Sequence, residues 1–132
     1  MEKVDRTHWE RAELFEFFSA VSHPFYSVTF RVDVTNLYRY VKDRHLSFYY
    51  VMGYLVTDAV NSVKNFRYAI RDGEVLLLDE RIPSLTDLHP GSEQFHIVTL
   101  PKTGSIADFC AAAQARSAAQ KTLLDQDEEN DN

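Results

Sequence analysis

The dipeptide Asp72-Gly73 restricts this chain's fold more than any other feature. It sits inside "NFRYAIRDGEVLLLDERIPSLTDLH", the run from Asn65 to His89. Aspartate followed by glycine supplies the positive φ angles of a type I′ turn, the turn whose twist matches the two strands it joins. A strand, a two-residue turn, a second strand and a proline-containing exit are therefore predicted in that order.

The segments around the hairpin carry their own periodicities. Leu14, Phe17, Phe18 and Val21 have the i, i+3, i+4, i+7 spacing of one helix face, which predicts a helix over 8–21. His23-Pro24 ends it, because proline has no amide hydrogen and disfavours helical dihedrals in the residue before it. From Tyr26 the period becomes two, with Tyr26, Val28, Phe30, Val32 and Val34 on one face, so a half-buried strand is expected. Thr35 is placed to cap a short helix that turns Leu37, Tyr40 and Val41 toward the core. Met52, Leu55, Val56, Ala59, Val60 and Val63 predict a long central helix over 48–64. Phe95, Ile97 and Thr99 alternate with His96, Val98 and Leu100 in a further strand. Ser105 and Asp108 then have capping-box spacing ahead of a helix that carries Ile106, Phe109, Cys110 and Ala113 on one face and runs to about Leu124.

A chain of 132 residues, 45% hydrophobic and 13% aromatic, suits one domain with a real core. Its formal charge of -6 is concentrated in "DQDEENDN", which holds five of the 20 acids and none of the 14 bases. That tail, 125–132, is expected to be an acidic loop or frayed end. The Lys and Arg residues form no stripe, which argues against nucleic acid as a partner. The longest apolar run, Phe48 to Val56, is about half of a membrane span, so no membrane role is expected. Cys110 is the single cysteine, which allows no internal disulfide and no zinc set. A reducing cytoplasm and no metal are the expectations.

Together the motifs resemble the chloramphenicol acetyltransferase family. Trp9 with "ELFEFF" is similar to the family's opening tryptophan and aromatic helix, and "VTFRVDVTNL" to its strand with a following aspartate and threonine. "FYYVMGYLVTDAVN" resembles its F-Y-x-x-x-x-x-x-x-x-A-V helix. Phe66, Arg67, Asp72, Gly73, Glu74, Asp79 and Pro83 match its F-R-x-x-x-x-D-G-E with a following D-x-x-x-P. The resemblance implies a two-layer α/β (α+β) sandwich of the CoA-dependent acyltransferase type, here incomplete at the C-terminus. Residues 1–124 would form its N-terminal part.

It further implies acetyl transfer from acetyl-CoA to the hydroxyl of a small-molecule acceptor, a role in antibiotic resistance, and a homotrimer with active sites between subunits. Transfer of this kind needs a general base with a pKa near neutrality and a donor to the oxyanion of the tetrahedral intermediate. The family's H-H-x-x-x-D-G motif is absent from this sequence, and its oxyanion serine has no counterpart here. No catalytic residue is therefore assigned, the isolated chain is expected to be inactive, and the coenzyme contacts are left open. Two alternatives stand beside this reading: a non-catalytic interaction module, and the acyltransferase core of the 2-oxo acid dehydrogenases.

Four residues are carried over as acceptor-pocket candidates: Phe95, Ile97, Tyr26 and Phe25. Gln94 and His96 stand where the family has threonine and serine. The arginine the family carries near the end of the first helix has no counterpart among Ser19, Ala20 and Val21. His8, His23 and His45 are expected in surface or capping roles, His89 in a loop, and His96 in a structural or solvent-facing role. Cys110 is expected to be inert packing.

Overall fold

The computed structural model describes residues 1–124. The expectation for the acidic tail lies outside them. Its elements are β1 (Glu2–Lys3), α1 (Ala12–Ser19), α2 (Thr35–Asp43), α3 (Phe48–Ser62), β2 (Tyr68–Arg71), β3 (Glu74–Leu77), β4 (Ser84–Leu88), β5 (Phe95–Thr99) and α4 (Ile106–Ala119). β1, β3 and β2 make a three-stranded antiparallel sheet in that order, and β4 pairs with β5 in a separate ribbon.

The predicted turn is present. Arg71 pairs with Glu74 across it, and Asp72 and Gly73 have φ of 51° and 78°. The residues flanking the hairpin explain why the motif is longer than a turn requires. Arg67 Nη1 donates to the carbonyls of Leu78 and Asp79 at 3.1 and 2.8 Å, which clasps the exit from β3 against the entry to β2. Downstream, Arg81 N donates to Asn61 Oδ1 at 2.6 Å while Asn61 Nδ2 donates to Arg81 O at 3.0 Å. The last turn of α3 thereby fixes where the chain leaves the hairpin.

The main core joins α2, α3, α4 and β5 through Val41, Tyr50, Val51, Val98, Leu100, Phe109, Cys110 and Ala113. Ser105 closes the predicted capping box with Asp108, and the expected apolar face of α4 is the one buried. Cys110 lies in that face, where burial pushes its thiol pKa up.

Several expectations need correction. Residues 26–34 form no strand: the segment is extended but pairs with nothing among the described residues. Its alternating face is open, with Tyr26 90% and Phe30 76% exposed. Period two marks readiness to pair, and a partner edge has to exist before a ladder can form. The first helix is shorter than predicted, and Leu14, Phe17, Phe18 and Val21 are exposed rather than packed. At α2 the amide of Thr35 is taken by the Asp33 carboxylate at 2.9 Å, so the aspartate, not Thr35, supplies the cap contact. In α3 the buried face is Tyr50, Val51 and Thr57, while Val56, Ala59 and Val63 are exposed; α4 and the β4–β5 ribbon decide which stripe is covered. α4 stops at Ala119, short of Leu124. Finally β4 is a true strand, where the sequence had indicated only the hairpin's exit.

Candidate functional site

The β4–β5 ribbon has two unlike faces. Its register sets Asp87 opposite His96 and Leu85 opposite Val98 on the inner face, with Leu88 opposite Phe95 and Thr86 opposite Ile97 on the outer one. Side chains alternate along a strand, so the two sets leave the ribbon on opposite sides.

On the inner face, four polar side chains from four elements form one chain of hydrogen bonds. The Tyr50 hydroxyl on α3 donates to Asp87 Oδ2. The Ser117 hydroxyl on α4 donates to the same oxygen at 2.6 Å. Ser117 has then spent its only hydrogen, so it accepts at 2.9 Å from His96 Nε2, which assigns the Nε2–H tautomer to that ring. His96 Nδ1 is left buried, without a partner among the described residues. His89 stacks on His96 with ring centroids 4.2 Å apart, and its Nε2 donates to Gln120 O at 2.9 Å.

Burial pushes the Asp87 pKa up, but hydrogen bonds from Ser117, Tyr50 and the Leu88 amide outweigh it and hold the carboxyl below its ordinary value. The same contact acts oppositely on Tyr50, whose pKa is pushed up to about 12 by burial and by the bond to Asp87. Asp87 is therefore a carboxylate at neutral pH, and Tyr50 a phenol that donates to it.

The ribbon borders a cavity of about 460 Å³ lined by Phe95, Leu88 and Thr86 of its outer face, by Asp87 of its inner one, and by Ser47, Tyr49 and Tyr50 at the start of α3. Tyr49 Oη lies 3.3 Å from Thr86 Oγ1. Phe95 is 53% exposed and also lines a second cavity of about 540 Å³ with His89, His96 and Leu123. Among the described residues, no Lys, Arg or His lines the first cavity.

Of the four candidates, Phe95 and Ile97 come together on the outer ribbon face. Phe25 and Tyr26 do not join them; they are 86% and 90% exposed, and neither lines the cavity at Phe95. Asp87, Tyr50 and Ser117 escaped the sequence reading. Two of them leave a legible signal: Asp87 falls on the inward phase of "SLTDL", and Ser117 follows Ala113 by four residues on the buried face of α4. A polar residue on an apolar phase marks a buried partner.

The remaining histidines have simple surroundings. His8 Nδ1 lies 2.8 Å from Asp5 Oδ2, His23 Nδ1 lies 3.3 Å from Ser22 Oγ, and His45 is exposed at the exit from α2 with φ of 54°. Among the described residues, no group of His, Cys, Asp and Glu has metal-binding geometry.

The family model described as chloramphenicol acetyltransferase matches residues 1–130. This chain belongs to the chloramphenicol acetyltransferase family. It is 35% identical over 107 residues to chloramphenicol acetyltransferase 3 of Escherichia coli, covering 81% of this chain and 50% of the relative. It is 38% identical over 95 residues to the chloramphenicol acetyltransferase of Clostridium perfringens, covering 71% of this chain and 44% of that protein. A solved chloramphenicol acetyltransferase structure superposes with a TM-score of 0.82 at 26% identity, over 91% of this chain and 56% of that one. The α+β fold class is thus the family's. The chain spans about half the length of the curated relatives it matches.

Proposed function

We propose that this chain belongs to an acetyl-CoA-dependent O-acetyltransferase acting on the hydroxyl of a small aromatic acceptor such as chloramphenicol, and that it supplies part of the acceptor site. The observation that carries the reading is the outer face of the β4–β5 ribbon. There a half-exposed Phe95 walls a cavity edged by hydroxyl groups and lined by no cationic side chain among the described residues, in a chain of this family. Ile97 lies on the same face. Phe25 and Tyr26 would join the site only through contacts with a further subunit, in keeping with a homotrimer. Residues 1–124 are proposed as the N-terminal part of one acyltransferase-like domain, working in the cytoplasm.

We assign no catalytic base within this chain. His96 is the buried candidate, yet its Nε2–H is committed to Ser117 and its Nδ1 is sealed from solvent. A base has to reach the proton it removes. The test is acetyl transfer from acetyl-CoA to chloramphenicol, followed by thiol release, beside equilibrium binding of chloramphenicol. Binding without turnover above the uncatalysed rate is expected. Turnover that disappears when one histidine is replaced would overturn the assignment.

A second reading, a non-catalytic interaction module, is favoured by a different observation: the open apolar segment 25–32, whose exposed Phe25, Tyr26, Val28 and Phe30 suit a partner strand. Chloramphenicol binding separates the two, since an interaction module has no need of it.

A further inference from the structure

The sheet β1-β3-β2 ends at β2, so among the described residues no strand lies on that strand's outer side. Arg67 faces β3, since its carbonyl accepts from the Leu78 amide at 3.0 Å. Backbone groups alternate along an antiparallel strand, so Ala69 and Arg71 face β3 as well, while Phe66, Tyr68 and Ile70 turn their backbone groups outward. Outward carbonyls on an edge are what an incoming strand binds.

Here a side chain has taken them. Arg81 Nε donates to Phe66 O at 3.0 Å, and its Nη2 donates to Tyr68 O. The planar fork spans carbonyls two residues apart, the spacing a neighbouring strand would use. Its root is fixed as well, because the Asn61 side chain on α3 holds both the amide and the carbonyl of Arg81. Beyond the fork only Ile70 turns backbone groups outward before the turn at Asp72-Gly73, and one residue makes no ladder.

The same chain carries an extended segment without a partner. Residues 26–34 present Tyr26, Val28, Phe30 and Val32 as an exposed apolar row, and Phe66 and Ile70 are exposed beside the β2 edge. A second copy's 26–34 segment has both the alternation to pair with that edge and the side chains to cover those two residues. We propose that Arg81 is an edge guard: it stands in for a fourth strand and keeps β2 from accepting the 26–34 segment of a second copy. To pair there, an incoming strand has to displace two charge-assisted hydrogen bonds.

Arg81→Ala removes the donors, and Arg81→Lys keeps the charge but loses the planar fork; both retain the backbone contacts with Asn61. Amide hydrogen exchange of Ile70, read by NMR on the full chain at two concentrations about tenfold apart, reports the state of the edge. In the wild type this amide is expected to exchange at the same rate at both. In the two variants it should slow by about tenfold at the higher concentration, with larger species in light scattering, and adding Phe30→Lys should abolish the slowing.

Wild-type protection of Ile70 that rises with concentration would overturn the proposal, as would a folded variant whose Ile70 exchange does not depend on concentration. Slowing that survives Phe30→Lys would assign the edge to another occupant and overturn it too. If Arg81→Ala fails to fold, Arg81→Lys and the wild-type rates decide the matter.

Discussion

Asp87 and His96 face each other across the β4–β5 ladder, and the Ser117 hydroxyl joins them by donating to the carboxylate and accepting from the imidazole. One helix, α4, thereby reads the register of the ribbon. A one-residue slip would turn both polar groups to the outer face and leave Ser117 buried without partners. Asp87→Ala strands the hydroxyls of Tyr50 and Ser117 and should destabilise the fold by about 2 to 3 kcal/mol, whereas Ser117→Ala should cost about 1. Urea unfolding of both single variants and the double variant checks the coupling. Strict additivity would mean that Asp87 and Ser117 do not act as a unit.

Acid should weaken the same network. The folded-state pKa of Asp87 is held below its ordinary value, so the unfolded chain takes up this proton first as pH falls. The stabilisation is fully present above the unfolded value near 4, declines as pH drops from there, and is gone below the folded value. The urea midpoint of the wild type should fall over that window, and Asp87→Asn should flatten the part of the fall that this residue causes.

Phe95→Ala should separate binding from stability. Because 53% of the residue is exposed, its loss should cost roughly 1 kcal/mol or less of stability, well under the figure for a fully buried phenylalanine. Chloramphenicol affinity should fall about tenfold. Unchanged affinity in a folded variant would remove Phe95 from the acceptor site.

Ser105 offers a local test of the α4 frame. Its side chain accepts from the Asp108 amide while Asp108 Oδ2 accepts from the Ser105 amide at 2.9 Å. Ser105→Ala should cost about 1 kcal/mol in thermal or urea unfolding. No change would mean that the box is not formed in solution.

The open segment 25–32 predicts association. Light scattering over a tenfold concentration range should find oligomers, and Phe30→Lys should reduce them by charging the exposed apolar face. A monomer throughout that range would show that the segment is tolerated unpaired.

Much of this protein was determined locally and could be read from its residues in order. Asp72-Gly73 dictates the hairpin because only positive φ closes a two-residue turn of that hand. Ser105 and Asp108 mark the start of α4, and Phe109, Cys110 and Ala113 mark its buried face, because both signals lie within four residues of one another. The family is legible for the same reason, its motifs being short runs in fixed order. Other properties depend on which surfaces meet. Residues 26–34 alternate correctly for a strand, yet pairing needs an edge that periodicity cannot supply. The buried stripe of α3 is chosen by its contacts with α4 and the ribbon, since that helix has apolar residues on more than one side. The site itself was decided only by tertiary structure. Tyr50, Asp87, His96 and Ser117 span 68 positions of the sequence, and a hydrogen bond depends on distances of about 3 Å that only packing brings about.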